Sequence, residues 1–431
     1  MAIRLVKTSD PGFKPLLANI LGRRGTREGA VEQRVAEIVT AVRKRGDRAL
    51  LRYTRMFDGV RLTPETMEVK STEIERALAR VPGKDLTTLR LAAKRVAAFH
   101  RRQLQKSWQY RDPLGMTLGQ RITPLDRVGV YVPGGKASYP STVLMNTIPA
   151  RVAGVREIIM TSPIGGDGAL ILAAAWIAGV NRIFRVGGAQ AVAALAFGTN
   201  TIPKVDKIVG PGNIYVATAK RIVFGEVDID SIAGPSEILV LADDSADPIH
   251  VAADMLSQAE HDELAAALCV TTSRSMATRI QSAIEQQLQS TKRHAITRQS
   301  LAKYGAIILA HGRKEMVDLA NAIAPEHIEL IVRRPEKLAK QIRNAGAMFL
   351  GPYSAPPLGD YLAGPNHVLP TGGSARFFSP LGTYDFLKRT TMICAEKRAL
   401  RKLAPKLTQF ARLEGLDDHA RSVEVRFRKG S

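Results

Sequence analysis

A chain of 431 residues is too long for one hydrophobic core and points to two or three domains. Aromatics are few, small aliphatics and 35 glycines are many, and the two cysteines, Cys269 and Cys394, form no C-x-x-C pair; this suits an α/β protein and excludes a disulfide framework or a thiolate metal site. The formal charge of +22 would attract polyanions, but the Lys and Arg are scattered, as in Arg23-Arg24, Arg43-Lys44-Arg45 and Arg101-Arg102, and no nucleic-acid-binding motif organises them, so a solvated basic surface is expected.

Residues up to about 110 read as helical, with charged stripes over 31–45 and 84–105. Buried strands are predicted at 127–132, 157–160, 182–186 and 207–209, with helices at 141–152, 168–178 and 189–197 between them. That βαβ rhythm implies a parallel sheet covered on both faces. A second set follows, with strands at 237–242, 267–272, 305–309, 328–332 and 347–350 and helices at 248–260 and 276–289. After Phe386 the pattern changes to a basic helical segment, 388–416, read as an appendage belonging to neither sheet. The longest uncharged apolar run, 169–180, is far short of the ~20 residues that cross a bilayer, and the first ten residues lack a signal-peptide core. A soluble cytoplasmic protein without a membrane partner is expected.

Three glycine turns stand where strands of the first set should end: Val132-Pro133-Gly134-Gly135-Lys136, Val186-Gly187-Gly188-Ala189-Gln190 and Val209-Gly210-Pro211-Gly212-Asn213. Glycine lets backbone approach a ligand, and a helix starting after such a turn offers free amides to phosphate. None matches G-x-G-x-x-G, so each alone is a tight turn; three together suggest a nucleotide or dinucleotide site.

The segment from Gly359 to Thr371 packs Asp360, Asn366 and His367 between glycines and prolines that oppose a regular helix, so it reads as a site loop. Asp247-Pro248 is a helix start, which would place Gln258 and His261 three apart on one helix face. With Asp360 and His419 they would form a nitrogen and oxygen set suited to zinc, with manganese or cobalt as substitutes. Glu326 and His327 are adjacent and can carry two protons at one centre. The bland alternatives are capped or surface histidines, a polar turn entering a strand at 326–327, and a loop cap at His367.

Long segments then resemble the histidinol dehydrogenase family: 132–149, 187–198, 209–216, 228–243 around Ala233 to Glu237, 257–262, 324–330 and 359–378. The resemblance covers nearly the whole chain. It implies an α/β fold of two Rossmann-like, incomplete doubly wound modules with small N- and C-terminal helical segments. The division expected is 1–25 as an N-terminal segment, 26–126 with 237–385 as the module carrying most metal and catalytic residues, 127–236 as the cofactor module, and 386–431 as a dimerisation appendage. It also implies NAD-dependent, four-electron oxidation of L-histidinol through histidinaldehyde to histidine. Residues matching the family's zinc ligands are Gln258, His261, Asp360 and His419; His327 matches the base and Glu326 the water activator. Ser236, His367 and Glu414 match substrate contacts, and Tyr131, Gln190 and Asn213 the cofactor site. A homodimer is implied, with the C-terminal segment completing the other subunit's site. The chain departs from the family at Ala355-Pro356-Pro357, where a Pro-Glu pair is common, and at Ser231, often Met. Related dehydrogenases of sulfonated diols are the alternative within the superfamily, and a basic nucleic-acid-binding protein the alternative outside it.

Overall fold

A computed structural model describes residues 3–22, 29–134, 139–164, 168–232 and 234–428. Gly135 and Lys136 of the first glycine turn, Ala233 and the Arg23-Arg24 pair lie outside these residues. In chain order the strands are β1 (Arg4–Lys7), β2 (Trp108–Arg111), β3 (Thr117–Pro124), β4 (Arg127–Tyr131), β5 (Glu157–Thr161), β6 (Arg182–Phe184), β7 (Lys207–Val209), β8 (Asp228–Ile229), β9 (Glu237–Ala242), β10 (Ala266–Thr271), β11 (Ala306–Leu309), β12 (His327–Ile331), β13 (Ala347–Leu350) and β14 (Leu387–Cys394). The chain forms two compact units, Met1–Gln103 with Leu125–Phe386, and Leu104–Pro124 with Leu387–Ser431.

The first unit holds two parallel sheets. One runs β6-β5-β4-β7-β8, so the strand order reverses between β4 and β7. Its strands are near-continuous apolar runs because helices cover both faces, and Val128, Val130, Ile159 and Ile208 are fully buried. The Ala-rich helix Gly188–Phe197 is buried along almost its whole length, its small side chains allowing close approach to the sheet. The other sheet runs β1-β11-β10-β9-β12-β13, with the same reversal between β9 and β12. Alternation along β12 divides its side chains between two cores. Ile328 and Leu330 enter one with the helix Arg313–Ile323, and Ile331 enters the other with the helix Pro248–Ala259. Full burial of one such aliphatic side chain is worth about 1.5–3 kcal/mol.

Three expectations are corrected. The N-terminal segment is not only helical: β1 is an edge strand of the six-stranded sheet, paired with β11 from Arg4↔Ala306 to Lys7↔Leu309. Residues 108–111 are strand β2, so the helical region ends at Arg101. The C-terminal segment does not begin as a helix, because β14 pairs antiparallel with β3, which also pairs with β2; the helix starts only at Lys397. The β-branched run Thr390-Thr391 and Ile393 favours a strand that the scattered basic residues had disguised. Among the described residues, no helix is long and apolar enough to cross a membrane.

Candidate active site

Glu326, His327 and Asp360 converge at the amino-terminal edge of the six-stranded sheet. His327 is the first residue of β12, in register with Ile238 of β9 and Ala347 of β13. It is 6% exposed, and its Nδ1 lies 3.2 Å from the carbonyl oxygen of Glu237. A carbonyl only accepts, so the neutral ring carries its proton on Nδ1 and leaves the lone pair on Nε2. Nε2 is buried without a hydrogen-bond partner among the described residues, 3.8 Å from Asp360 Oδ1. Glu326 is buried beside it, its Oε2 accepting from the Glu237 amide at 2.9 Å and standing 3.7 Å from His327 Nδ1. The residue two before Glu326, Ala324, adopts φ 49°, a left-handed conformation costly for a residue with a Cβ.

These groups perturb one another. Burial pushes the Glu326 carboxyl up to about 7, although the charge of His327 opposes it. Burial alone would lower His327, but the carboxylates of Glu326 and Asp360 overcome it and raise the imidazole to about 9. Asp360 is held below the usual carboxylate range: His327, with smaller contributions from His367 and His261, outweighs its own burial. Desolvation lowers both His261 and His367 and so favours their neutral rings, against the opposing pull of the Asp360 carboxylate.

Asp360 sits on a π-helical turn, Leu358–Leu362, begun by Pro357. Such wide turns recur at functional sites because they re-aim a side chain. His367 Nδ1 lies 3.0 Å from the Asp360 carbonyl oxygen, closing the loop on itself. Asn366, 5% exposed, donates to the Met145 carbonyl at 2.7 Å and ties the loop to the helix Pro140–Ala153 that follows β4. A cavity of about 470 Å³ opens onto His327, Asp360 and His367 and is walled by Phe349, Leu381 and Tyr384.

The helix start at Asp247-Pro248 is as expected, Asp247 accepting from the Ile249 amide at 2.8 Å. His261 differs from expectation: the helix ends at Ala259, and His261 lies in the closing turn, its amide donating to the Gln258 carbonyl at 3.2 Å. Gln258 is buried at the last turn. Together with Asp360, these residues offer an amide oxygen, an imidazole and a carboxylate, donors that fit zinc. Among the described residues, no group of three or more His, Cys, Asp or Glu is gathered to hold an ion alone. His419 and Glu414 belong to the second unit, where both are exposed. Ser236 is half-buried immediately before β9, its carbonyl accepting from the Ala266 amide at 3.0 Å.

A second constellation lies at the carboxyl edge of the five-stranded sheet. Tyr131 ends β4, its hydroxyl accepting from the Gly188 amide at 3.0 Å, and burial pushes the phenol up to about 12. Gln190 is fully buried, and among the described residues neither its side-chain oxygen nor its nitrogen is paired, nor is Thr161 Oγ1 at the end of β5. Unsatisfied buried donors and acceptors are costly unless a ligand meets them, so this edge fits a polar cofactor such as NAD. Asn213 caps the helix Ile214–Val223, its Oδ1 accepting from the Tyr215 and Val216 amides at 3.1 and 3.2 Å. A Cβ on Gly187 would lie 2.7 Å from Pro163, so this turn also requires glycine for packing alone.

Sequence reasoning did not find the carboxyl pair formed by half-buried Asp254 and buried Glu329. Glu329 shares a face of β12 with His327, and Asp254 is one helical turn before Gln258. The signal present was an acid at alternate spacing inside an apolar strand.

The family model described as histidinol dehydrogenase matches residues 21–427. The chain is 55% identical to the histidinol dehydrogenase of Syntrophotalea carbinolica over 99% of both chains. It is 53% identical to that of Aquifex aeolicus, again over 99% of both. The crystal structure of histidinol dehydrogenase from Elizabethkingia anophelis superposes with a TM-score of 0.92 at 34% identity, covering 99% of this chain and 98% of that one.

Proposed function

Because the chain belongs to the histidinol dehydrogenase family, we propose that it oxidises L-histidinol to L-histidine through L-histidinaldehyde, the last step of histidine biosynthesis, in the cytoplasm. The observation that carries this reading is His327, with Nδ1 engaged by the Glu237 carbonyl and Nε2 buried, unpaired and open to the cavity. His327 removes the alcohol proton in the first oxidation. Glu326, raised towards neutrality by burial, takes a proton from the water that hydrates the aldehyde, and so prepares the second oxidation. Asp360 supports the charged form of His327 only while its carboxylate faces Nε2; engaged elsewhere, it leaves the imidazole a better-matched base at neutral pH. His367 and Ser236 orient the substrate, joined by Glu414 contributed across a homodimer.

Gln258, His261 and Asp360, with His419 of the partner subunit, would hold zinc, which supplies a fixed positive charge that binds and orients the substrate's amine and imidazole. Tyr131, Gln190 and Asn213 would bind NAD, the hydride acceptor of both oxidations. The aldehyde is retained between the steps, because one cavity serves both.

The test is NADH formation from limiting L-histidinol, with and without a chelator and then restored zinc. About two NADH per histidinol, abolished by chelation and regained with zinc, are expected from this four-electron reaction. A folded, zinc-loaded dimer that turns over no histidinol would sink the assignment.

A further inference from the structure

Lys220 and Asp230 form a buried ion pair, their side chains 3% and 5% exposed. Neither belongs to the residues discussed for substrate, zinc or NAD. The pair is built around the main chain of Gly210. Asp230 Oδ2 accepts from the Gly210 amide at 2.8 Å, and Lys220 Nζ donates to the Gly210 carbonyl at 3.0 Å. Asp230 Oδ1 binds the Lys220 ammonium and also accepts from the Ser231 amide at 2.6 Å.

Gly210 needs such partners for a backbone reason. At φ 113° it turns out of the strand path just after β7, and β8 is only two residues long, so no neighbouring strand supplies a donor or acceptor. Gly210 is buried, and its orphaned peptide groups would otherwise carry a desolvation penalty. The fit is close on the other side too, where a Cβ would come 2.1 Å from the Tyr131 carbonyl. Gly210 therefore stands between the ion pair and Tyr131, at the point where the strand order reverses, three residues before Asn213. Ligands of open α/β sheets bind in that crevice. A buried ion pair is no more stabilising than well-packed apolar residues of similar size, so stability alone does not account for it.

We propose that Lys220 and Asp230 are positioning residues for the cofactor: they hold the Gly210–Asn213 turn against Tyr131 in the conformation that receives NAD, without touching it. This rests on the NAD reading of that edge. The pair acts on cofactor affinity and not on the chemistry at His327.

The experiment is calorimetric titration of the zinc-loaded dimer with NAD, first for the wild type and then for K220M/D230L, with melting temperature and L-histidinol affinity measured on the same samples. The double variant replaces both charges by apolar groups and removes both bonds to Gly210. Expected is a lowered melting temperature with a folded protein at the assay temperature, because the Gly210 amide and carbonyl lose their partners, together with unchanged histidinol affinity and NAD binding weakened about tenfold or more. The same split should appear as a raised KM for NAD with kcat retained at saturation. A double variant that binds NAD as the wild type does overturns the proposal, whatever its melting temperature. A wild type that binds no NAD instead overturns the cofactor reading, and the proposal with it. If K220M/D230L does not fold, D230N, which keeps the side-chain volume but strips Lys220 of its counter-charge, carries the test, with the same tenfold loss expected and unchanged affinity as the overturning result.

Discussion

Replacing His327 by Asn separates its chemistry from its structural contacts. The Asn amide nitrogen occupies the place of Nδ1 and can keep the bond to the Glu237 carbonyl, which is 3.2 Å long in the native protein. What disappears is Nε2, the buried and unpaired nitrogen beside the cavity. At a site 6% exposed, the lost ring atoms cost about 1–2 kcal/mol of stability, towards the low end for large-to-small core changes because the polar bond survives. Loss of a positioned proton acceptor costs kcat about 10²–10⁴-fold, or ~3–5.5 kcal/mol of barrier. Activity should therefore fall by much more than stability. Steady-state NADH production should show the drop in kcat with KM for histidinol little changed, while melting shows a folded protein. An H327N enzyme with kcat within about threefold of the wild type would refute the assignment of Nε2 as the proton acceptor.

Two further outcomes follow from the neighbouring carboxyls. In E326Q the amide oxygen can still accept from the Glu237 amide, a 2.9 Å bond in the native protein, but water is no longer activated; NADH per histidinol should fall from about two towards one, with aldehyde accumulating and the second oxidation slowed about 10²–10⁴-fold, whereas full stoichiometry at wild-type rate would contradict it. Burial, with the negative charge and hydrogen bond of Asp254, pushes Glu329 up to about 9 from an ordinary value of 4.5. The folded chain then keeps a proton that the unfolded chain releases, so this group's stabilisation is complete below about pH 4.5 and is lost as pH rises through about 9. His250 faces Asp254, where its charge opposes burial without overcoming it, and the thiol of Cys269 faces Glu329. The melting temperature should decline less steeply between acid and alkaline pH in E329Q than in the wild type, and parallel profiles would show that Glu329 does not hold the proton.

Local chemistry made much of this protein legible in one dimension. Apolar runs marked the central strands within a residue or two, because strands buried on both faces need no alternation. The Asp247-Pro248 start and the glycine turns were readable because capping and tight packing depend on the residues at hand. The adjacency of Glu326 and His327 exposed a candidate proton-transfer pair before any fold was known. Helix propensity misled at both ends. β1 owes its strand conformation to β11, some three hundred residues away, and β14 to β3, partners invisible to local propensity.

Tertiary structure alone decided which residues gather at which edge of each sheet. It brought residues 258, 326 and 360 towards the amino edge of one sheet, while the glycine turns stand at the carboxyl edge of the other. It also decided that Nε2 of His327 is free, since that depends on a carbonyl ninety residues distant. The partners of Gly210, Lys220 and Asp230, had the same origin: ordinary surface-type charges in the sequence, they are buried because a turned-out peptide in the fold needs both a donor and an acceptor. Hydrogen bonds between distant segments carry no sequence periodicity, so only the folded chain reveals them.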